Sequence, residues 1–292
     1  MANNRLSAQK ITFVGAGSIT EAIVRGLVEQ RIADPKHLFA LNRSSRDRLD
    51  AMKKQYGIQA CTLEEERECY ETYIRDADVV VMAMKPKDVG QAVHALKPYL
   101  NANQLLVSVV AGLSMDTVAR ILQNGMPIVR TMPNTSSTLG LGATGMSFSP
   151  EASETHQAIA FEMFQAIGEV SVVAEEQLDT VTGLSGSGPA YIYYMMEAMI
   201  EAGVMGGLTF QDAHSLTVQT VLGAATMVKV TKEDPAELRR KVTSPNGTTQ
   251  AALELMNENG FTEIVQRAVL RATERARELG DMISSDVANK TT

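Results

Sequence analysis

The chain predicts an α/β fold, with a doubly wound sheet over residues 1–175 followed by an all-α region over 176–292. Three observations lead there. Short apolar, β-branched runs alternate with helix-patterned segments as far as about Ala174, a glycine turn joins the first run to the first helix, and the strand signal ends after Gln177.

The strand-like runs are Ile11–Val14, Leu38–Leu41, Asp78–Met84, Leu105–Val110 and Pro127–Met132. They lie roughly 20 to 40 residues apart and are bounded by Gly, Pro or Asn, which is the rhythm of βαβ units with right-handed crossovers. Continuous apolar stretches such as Val79-Val80-Val81-Met82 fit parallel strands covered on both faces. Two further β-like pieces, Ala143–Phe148 and Glu169–Val173, flank a helical segment in which Ile159, Met163 and Ile167 share one face, and they are expected to extend the sheet at one edge. Helices are expected at Pro189–Ala202, Thr209–Thr231, Pro235–Val242, Thr248–Glu258 and from Thr262 to about Ser285. Thr209 and Thr262 suit N-cap positions, and Gly260 suits a left-handed helix end. The domain boundary is expected near residues 174–178.

Charge and composition narrow the function. A net charge of −7 disfavours a protein that grips nucleic-acid backbone, and 45% hydrophobic residues argue against disorder. Cys61 and Cys69 have neither metal-site nor disulfide-framework spacing, so free thiols in a reducing compartment are expected. The polar first ten residues lack the apolar core of a signal peptide, and no apolar stretch reaches the ~18 residues needed to span a bilayer. We expect a cytoplasmic protein with neither membrane nor nucleic-acid partners.

The glycine turn, Gly15-Ala16-Gly17-Ser18-Ile19, closes the first strand and opens a helix whose Ile19, Ala22, Ile23, Gly26 and Leu27 form one buried face. Such a turn lets backbone approach a pyrophosphate and aims free N–H groups at it, the signature of a Rossmann-type dinucleotide site. Thr20 stands where the fingerprint has Gly or Ala, so slightly looser helix–strand packing is expected. An acidic residue ending the second strand would bind the ribose 2′-hydroxyl of NAD. The sequence instead reads Asn42-Arg43-Ser44, where guanidinium, hydroxyl and amide suit a 2′-phosphate. NADPH is the expected cofactor, with NADH weaker. Further cofactor contacts are expected where later strands end, at Ala83-Met84-Lys85-Pro86 and at Val110-Ala111.

Other segments share a pattern with one family. Met132-Pro133-Asn134-Thr135, Gly186-Ser187-Gly188-Pro189-Ala190-Tyr191 and Thr243-Ser244-Pro245-Asn246-Gly247-Thr248-Thr249 stand in the order and spacing of pyrroline-5-carboxylate reductases. Ala83-Met84-Lys85-Pro86 resembles that family's Ala-Val-Lys-Pro, so the resemblance runs over about residues 10–280. It implies a Rossmann-type domain, an all-α C-terminal domain that interlocks with a second subunit, and reduction of a small cyclic imino acid, 1-pyrroline-5-carboxylate, to proline. It also implies substrate binding by Ser244, Gly247, Thr248 and Thr249. Asn246 replaces a usual glycine and is the least costly replacement if φ is positive there. Ser18 and Ile19 stand where Asn and Met are frequent, and the acidic stretch Glu64–Glu68 lacks an asparagine that relatives often carry.

Hydride addition to a protonated imine needs little side-chain chemistry, because the cofactor carries the hydride. That suits motifs with no Ser/His/Asp set, no paired carboxylates and no His/Cys metal cluster. His37, His94, His156 and His214 lie in unrelated contexts and read as surface or packing residues, and no metal is expected. Thr249 is the candidate to hydrogen-bond the ring nitrogen. The Thr209–Thr231 segment is apolar on more than one face, through Leu216, Val218, Val221, Leu222 and Met227, which suits a helix buried in a homo-oligomer. Two other readings are a β-hydroxy acid dehydrogenase, which would need a lysine absent between Gly183 and Ala202, and a catalytically weak paralogue that binds cofactor as a sensor or competence-associated protein.

Overall fold

In a computed structural model of the chain, residues 5–64, 66–84 and 89–290 are described, the last five of them by backbone alone. The first part alternates β1 (Ile11–Val14), α1 (Ser18–Glu29), β2 (Leu38–Asn42), α2 (Arg46–Tyr56), β3 (Gln59–Thr62), α3 (Arg67–Arg75), β4 (Val79–Met82) and α4 (Val89–Leu96). It continues with β5 (Leu105–Ser108), α5 (Met115–Leu122), β6 (Ile128–Met132), β7 (Gly142–Phe148), α6 (Glu154–Gln165) and β8 (Gly168–Val172). The eight strands form one sheet in the order β3-β2-β1-β4-β5-β6-β7-β8. Every pairing is parallel except β6 with β7. The first six follow the doubly wound order, which reverses direction between β1 and β4, and the two expected edge strands extend the β6 side.

Strand alternation explains the two cores. On β4, Val79 and Val81 join the apolar layer of Phe13, Ile23 and Phe164, whereas Val80 and Met82 join the layer of Leu41, Val93 and Leu106. Each fully buried side chain of this kind contributes roughly 1.5–3 kcal/mol, so an uninterrupted apolar run is stable only between two covering layers.

The sequence reading needs one correction in this sheet. Gln59-Ala60-Cys61-Thr62 is a strand, β3, so the ends read as the third and fourth strands belong to β4 and β5. This edge strand is four residues long and has half-exposed positions, too short and too polar to stand out.

By contacts the chain divides into one unit reaching Ser187 and resuming at Arg271, and a second of Gly188–Leu270. In the first, a short helix α7 (Leu178–Val181) runs into a π-helical turn at Thr182–Gly186. The residues from Arg271 onward belong to the end of the last helix and return to this unit. A Cβ at Gly112 would lie 3.1 Å from the Gly280 nitrogen, and the Thr117 and Ser284 hydroxyls are 3.1 Å apart. Arg130, buried on β6, pairs with Glu175 at 3.2 Å and Asp179 at 3.4 Å, and Arg277 approaches Asp179 at 4.0 Å.

The second unit is helical: α8 (Gly188–Met205), α9 (Phe210–Thr231), α10 (Pro235–Lys241), α11 (Thr248–Glu258) and the start of α12 (Phe261–Lys290). Thr209 caps α9 by accepting from the Asp212 N–H at 3.1 Å, as expected. Gly260 has φ +69°, the expected left-handed value. Thr262 is not a cap: the Gly260 carbonyl already accepts from Ile264 N at 3.0 Å, so α12 starts at Phe261 and Thr262 sits in its first turn. On α9 the buried residues are Ala213 and Thr217, while Leu216 (59% exposed) and Leu222 (54%) face outward. Helix α9 is therefore not the centre of a bundle within one chain.

Candidate active site

Backbone hydrogen bonds tie together the strand ends where cofactor contacts are expected. Gly15 N donates to Leu41 O at 2.8 Å, Ala83 N to Val14 O at 2.9 Å and Val109 N to Met82 O at 3.1 Å, joining the carboxyl ends of β1, β2, β4 and β5 into one crest. Gly15 has φ +111°, and a Cβ there would stand 2.4 Å from Ala83 O, so only glycine lets the two strand ends meet. Ala16 is buried beneath the turn, and Gly17 is the N-cap of α1 with no side-chain cap. The first N–H groups of α1, at Ser18 and Ile19, are thus left for a ligand, and the site fits a dinucleotide diphosphate. Thr20 is fully buried and donates its hydroxyl to Gly15 O at 2.5 Å, so the larger side chain becomes a brace across the turn.

At the end of β2, the Asn42 side chain accepts from Arg43 N at 2.8 Å, and Ser44 follows in the bend before α2. Arg43 and two arginines that follow it on α2, Arg46 and Arg48, each have an acidic partner. Arg43 lies 3.6 Å from Glu64, Arg46 meets Asp50 at 3.6 Å and Glu66 at 3.3 Å, and Arg48 meets Glu21 at 2.9 Å. Sequence reasoning saw Glu64 and Glu66 only as part of an acidic stretch, because their proximity to the arginines depends on the β2–β3 pairing.

Ala83 and Met84 are half-buried just past β4; Lys85 and Pro86 lie outside the described residues. Val110 is buried past β5, its N–H donating to Ser108 Oγ at 3.3 Å, and Ala111 is half-buried beside it. Two of the distant motifs meet in the same unit. Asn134 donates to Ser185 O at 3.1 Å and accepts from Ala143 N at 3.2 Å, and a Cβ at Gly186 would come within 2.7 Å of the Met132 side chain. Asparagine and glycine here lock the π-helical turn onto β6 and β7, and π-helical turns recur at functional sites.

The segment from Thr243 to Thr249 belongs to the other unit. Asp234 accepts from Ala236 N at 2.7 Å and Pro235 opens α10, after which Thr243 donates to Arg239 O at 2.7 Å and ends the helix. A tight turn follows, with Gly247 N donating to Ser244 O at 3.0 Å. Pro245 and Asn246 fill its centre, and Asn246 has φ +56°, the left-handed value expected. Gly247 is the N-cap of α11, and no side chain caps it. Ser244, Thr248 and Thr249 stand in the chain on either side of that helix start, the last half-buried. A helix start with unpaired donors and neighbouring hydroxyls is suited to a carboxylate without contributing a titrating group.

Burial pushes Tyr70 up to about 12 and raises the Cys61 thiol, so both stay protonated at neutral pH. Both cysteines are free thiols. His156 caps α6 through Ser153, and His214 stacks near Phe210 on α9. Among the described residues, no group of three His, Cys, Asp or Glu could hold a metal ion, and no helix is long and apolar enough to cross a membrane.

Comparison with known proteins adds to this geometry. Residues 175–279 match the family described as pyrroline-5-carboxylate reductase dimerisation, and residues 10–112 match that described as NADP oxidoreductase coenzyme F420-dependent. Pyrroline-5-carboxylate reductase 1 of Bacillus spizizenii is 39% identical over 96% of this chain and 92% of its own. The solved pyrroline-5-carboxylate reductase of Coxiella burnetii superposes with a TM-score of 0.86 at 36% identity, covering 94% of this chain and 99% of that one. The Plasmodium falciparum pyrroline carboxylate reductase with NADP bound superposes at 0.82 and 28% identity, with coverage of 94% and 99%.

Proposed function

The chain belongs to the pyrroline-5-carboxylate reductase family of NAD(P)-dependent oxidoreductases, and from that membership we propose that it reduces 1-pyrroline-5-carboxylate to L-proline with hydride from NADPH. NADPH is preferred because the end of β2 offers Asn42, Arg43 and Ser44 rather than an acid, with NADH as the weaker alternative. The cofactor supplies the hydride that the C=N carbon accepts. Residues 1–175 carry its site: Gly15 to Ile19 hold the diphosphate, and Ala83, Met84, Val110 and Ala111 border the crest, with Lys85 and Pro86 assigned there by the resemblance alone.

Residues 176–292 bind substrate and self-associate. Gly247, Thr248 and Thr249 receive the substrate carboxylate at the start of α11 with Ser244, and the Thr249 hydroxyl hydrogen-bonds the ring nitrogen. The iminium enters protonated, so the residues orient it and move no proton. A second copy of the chain covers the apolar outer surface of α9, and the working protein is a cytoplasmic homo-oligomer. Light scattering that gave the mass of one chain would refute the oligomer.

The observation that carries the reading is the match to reductases along nearly the whole chain, through both contact units. The test is proline formation from 1-pyrroline-5-carboxylate with loss of NADPH absorbance; cofactor binding without proline would overturn it. Thr249→Ala should lower kcat/KM roughly tenfold or more, since a hydrogen bond to a charged group contributes ~1.5–3 kcal/mol, with NADPH affinity unchanged. An unchanged kcat/KM in a folded variant would remove Thr249 from the mechanism.

A further inference from the structure

The end of β2 lacks the acid that would read a ribose hydroxyl, but the neighbouring strand brings one to the same place. Asn42 and Thr62 are in register, Leu63 N donates to Asn42 O at 3.0 Å, and Glu64 N donates to Arg43 O at 3.2 Å. These bonds hold the turn after β3 against the end of β2 and set the Glu64 carboxylate 3.6 Å from Arg43 Nε.

We propose that Glu64 is the residue that sets how strongly this chain distinguishes NADPH from NADH, acting with Arg43 as a two-way reader of the ribose. The Arg43 guanidinium takes a 2′-phosphate, and the Glu64 carboxylate accepts from a 2′-hydroxyl. The inference rests on the proposal above that the cofactor ribose lies at the end of β2.

Three features support a reader over a fixed ion pair. The pair is open, with side chains 84% and 56% exposed, and an exposed pair is weakly held, so either partner is free to turn to a ligand. Arg46, the other cation beside the turn, is held between Asp50 and Glu66, which leaves Arg43 as the cation with the looser partner. The charges also oppose each other with respect to the ligand: a 2′-phosphate brings about two negative charges, which Arg43 attracts and Glu64 repels, whereas a hydroxyl brings a donor that Glu64, and not Arg43, accepts. Glu64 therefore weakens NADPH binding and strengthens NADH binding, giving a narrower preference than Asn42, Arg43 and Ser44 would produce alone.

The test uses the full chain without substrate and reads binding by calorimetry, with 2′,5′-ADP and 5′-AMP as probes of the two ribose forms. Glu64→Gln keeps size but removes the charge and leaves only the weaker amide acceptor; it should tighten 2′,5′-ADP and weaken 5′-AMP, each by roughly threefold to fivefold, with the gain shrinking at high salt. Arg43→Ala should weaken 2′,5′-ADP by roughly tenfold and leave 5′-AMP within about twofold. The kcat/KM ratio of NADPH to NADH should move in the same directions. If Arg43→Ala selectively loses 2′,5′-ADP while Glu64→Gln leaves the ratio of the probes unchanged, the role of Glu64 is overturned and the ribose site stands. If Arg43→Ala weakens both probes equally, the ribose site is misplaced and the reader falls with it. Glu64→Lys, equally exposed, should shift the ratio further in the direction of the glutamine variant, and no shift would again overturn the role.

Discussion

Replacing Asn246 by alanine should slow turnover of the imino acid and leave cofactor binding alone. Asn246 is exposed and holds φ +56° in the turn closed by Gly247 N to Ser244 O at 3.0 Å, while its own N–H donates to Gln250 Oε1 at 2.8 Å. A left-handed conformation costs an ordinary L-residue roughly 1–2 kcal/mol, and asparagine escapes part of that. The alanine variant should thus lose about 1 kcal/mol from the closed turn, or roughly fivefold in the population that presents α11 correctly. Valine, stiffer at Cβ, should lose about tenfold or more, and glycine should stay within about twofold of the natural residue. The measurement is kcat/KM for the imino acid at saturating NADPH, beside NADPH affinity by fluorescence titration. Alanine and valine variants with natural kcat/KM would refute the argument, and so would equal losses in cofactor affinity.

Other expectations follow from packing and charge. Gly15→Ala places a Cβ 2.4 Å from Ala83 O at φ +111°, and should destabilise the protein by roughly 3 kcal/mol or more in urea unfolding and cut NADPH affinity, whereas natural stability would show that the strand ends part freely. Arg130→Met should cost roughly 3 kcal/mol, the lower end for a broken buried pair, because Glu175 and Asp179 keep 26% and 18% exposure; a loss under about 1 kcal/mol would contradict it. Burial, then the hydrogen bond with Cys69, raises the Cys61 thiol, so native protein should react with a thiol reagent at one cysteine and unfolded protein at both. The folded state favours the neutral thiol, so this contribution to stability is full below about pH 8.5, the unfolded thiol's range, and falls as pH rises beyond it. Two reactive thiols in native protein would show that Cys61 is open.

What the sequence made legible was local. Strand, glycine turn and amphipathic helix follow one another from Ile11 to Leu27, so every signal needed to place the turn falls within one βα unit. The Ser244–Thr249 turn is similar, since Pro245 and Asn246 dictate its backbone and the helix pattern resumes at once. Arg130 was hidden because it sits in an apolar strand and its partners follow 45 and 49 residues later. Glu64 was hidden behind an unrecognised edge strand: without β3, nothing brings it to Arg43. The apolar residues of α9 were legible as a multi-faced pattern, but a pattern on one chain does not name what covers it.

Helix α12 follows every other described element in the chain, yet its turns past Arg271 belong to the unit that holds the sheet. Gly280 fits against Gly112 beside the end of β5, Ser284 meets Thr117, and Arg277 faces Asp179. On the ribosome the sheet can pair early, but these contacts wait until the residues past Arg271 clear the exit tunnel, so this side of the unit is completed after the eight strands. A nascent chain stalled short of Arg271 would carry all eight strands and still lack one wall of its first unit. C-terminal truncation should accordingly harm NADPH binding, although every residue assigned to that site lies more than a hundred positions upstream.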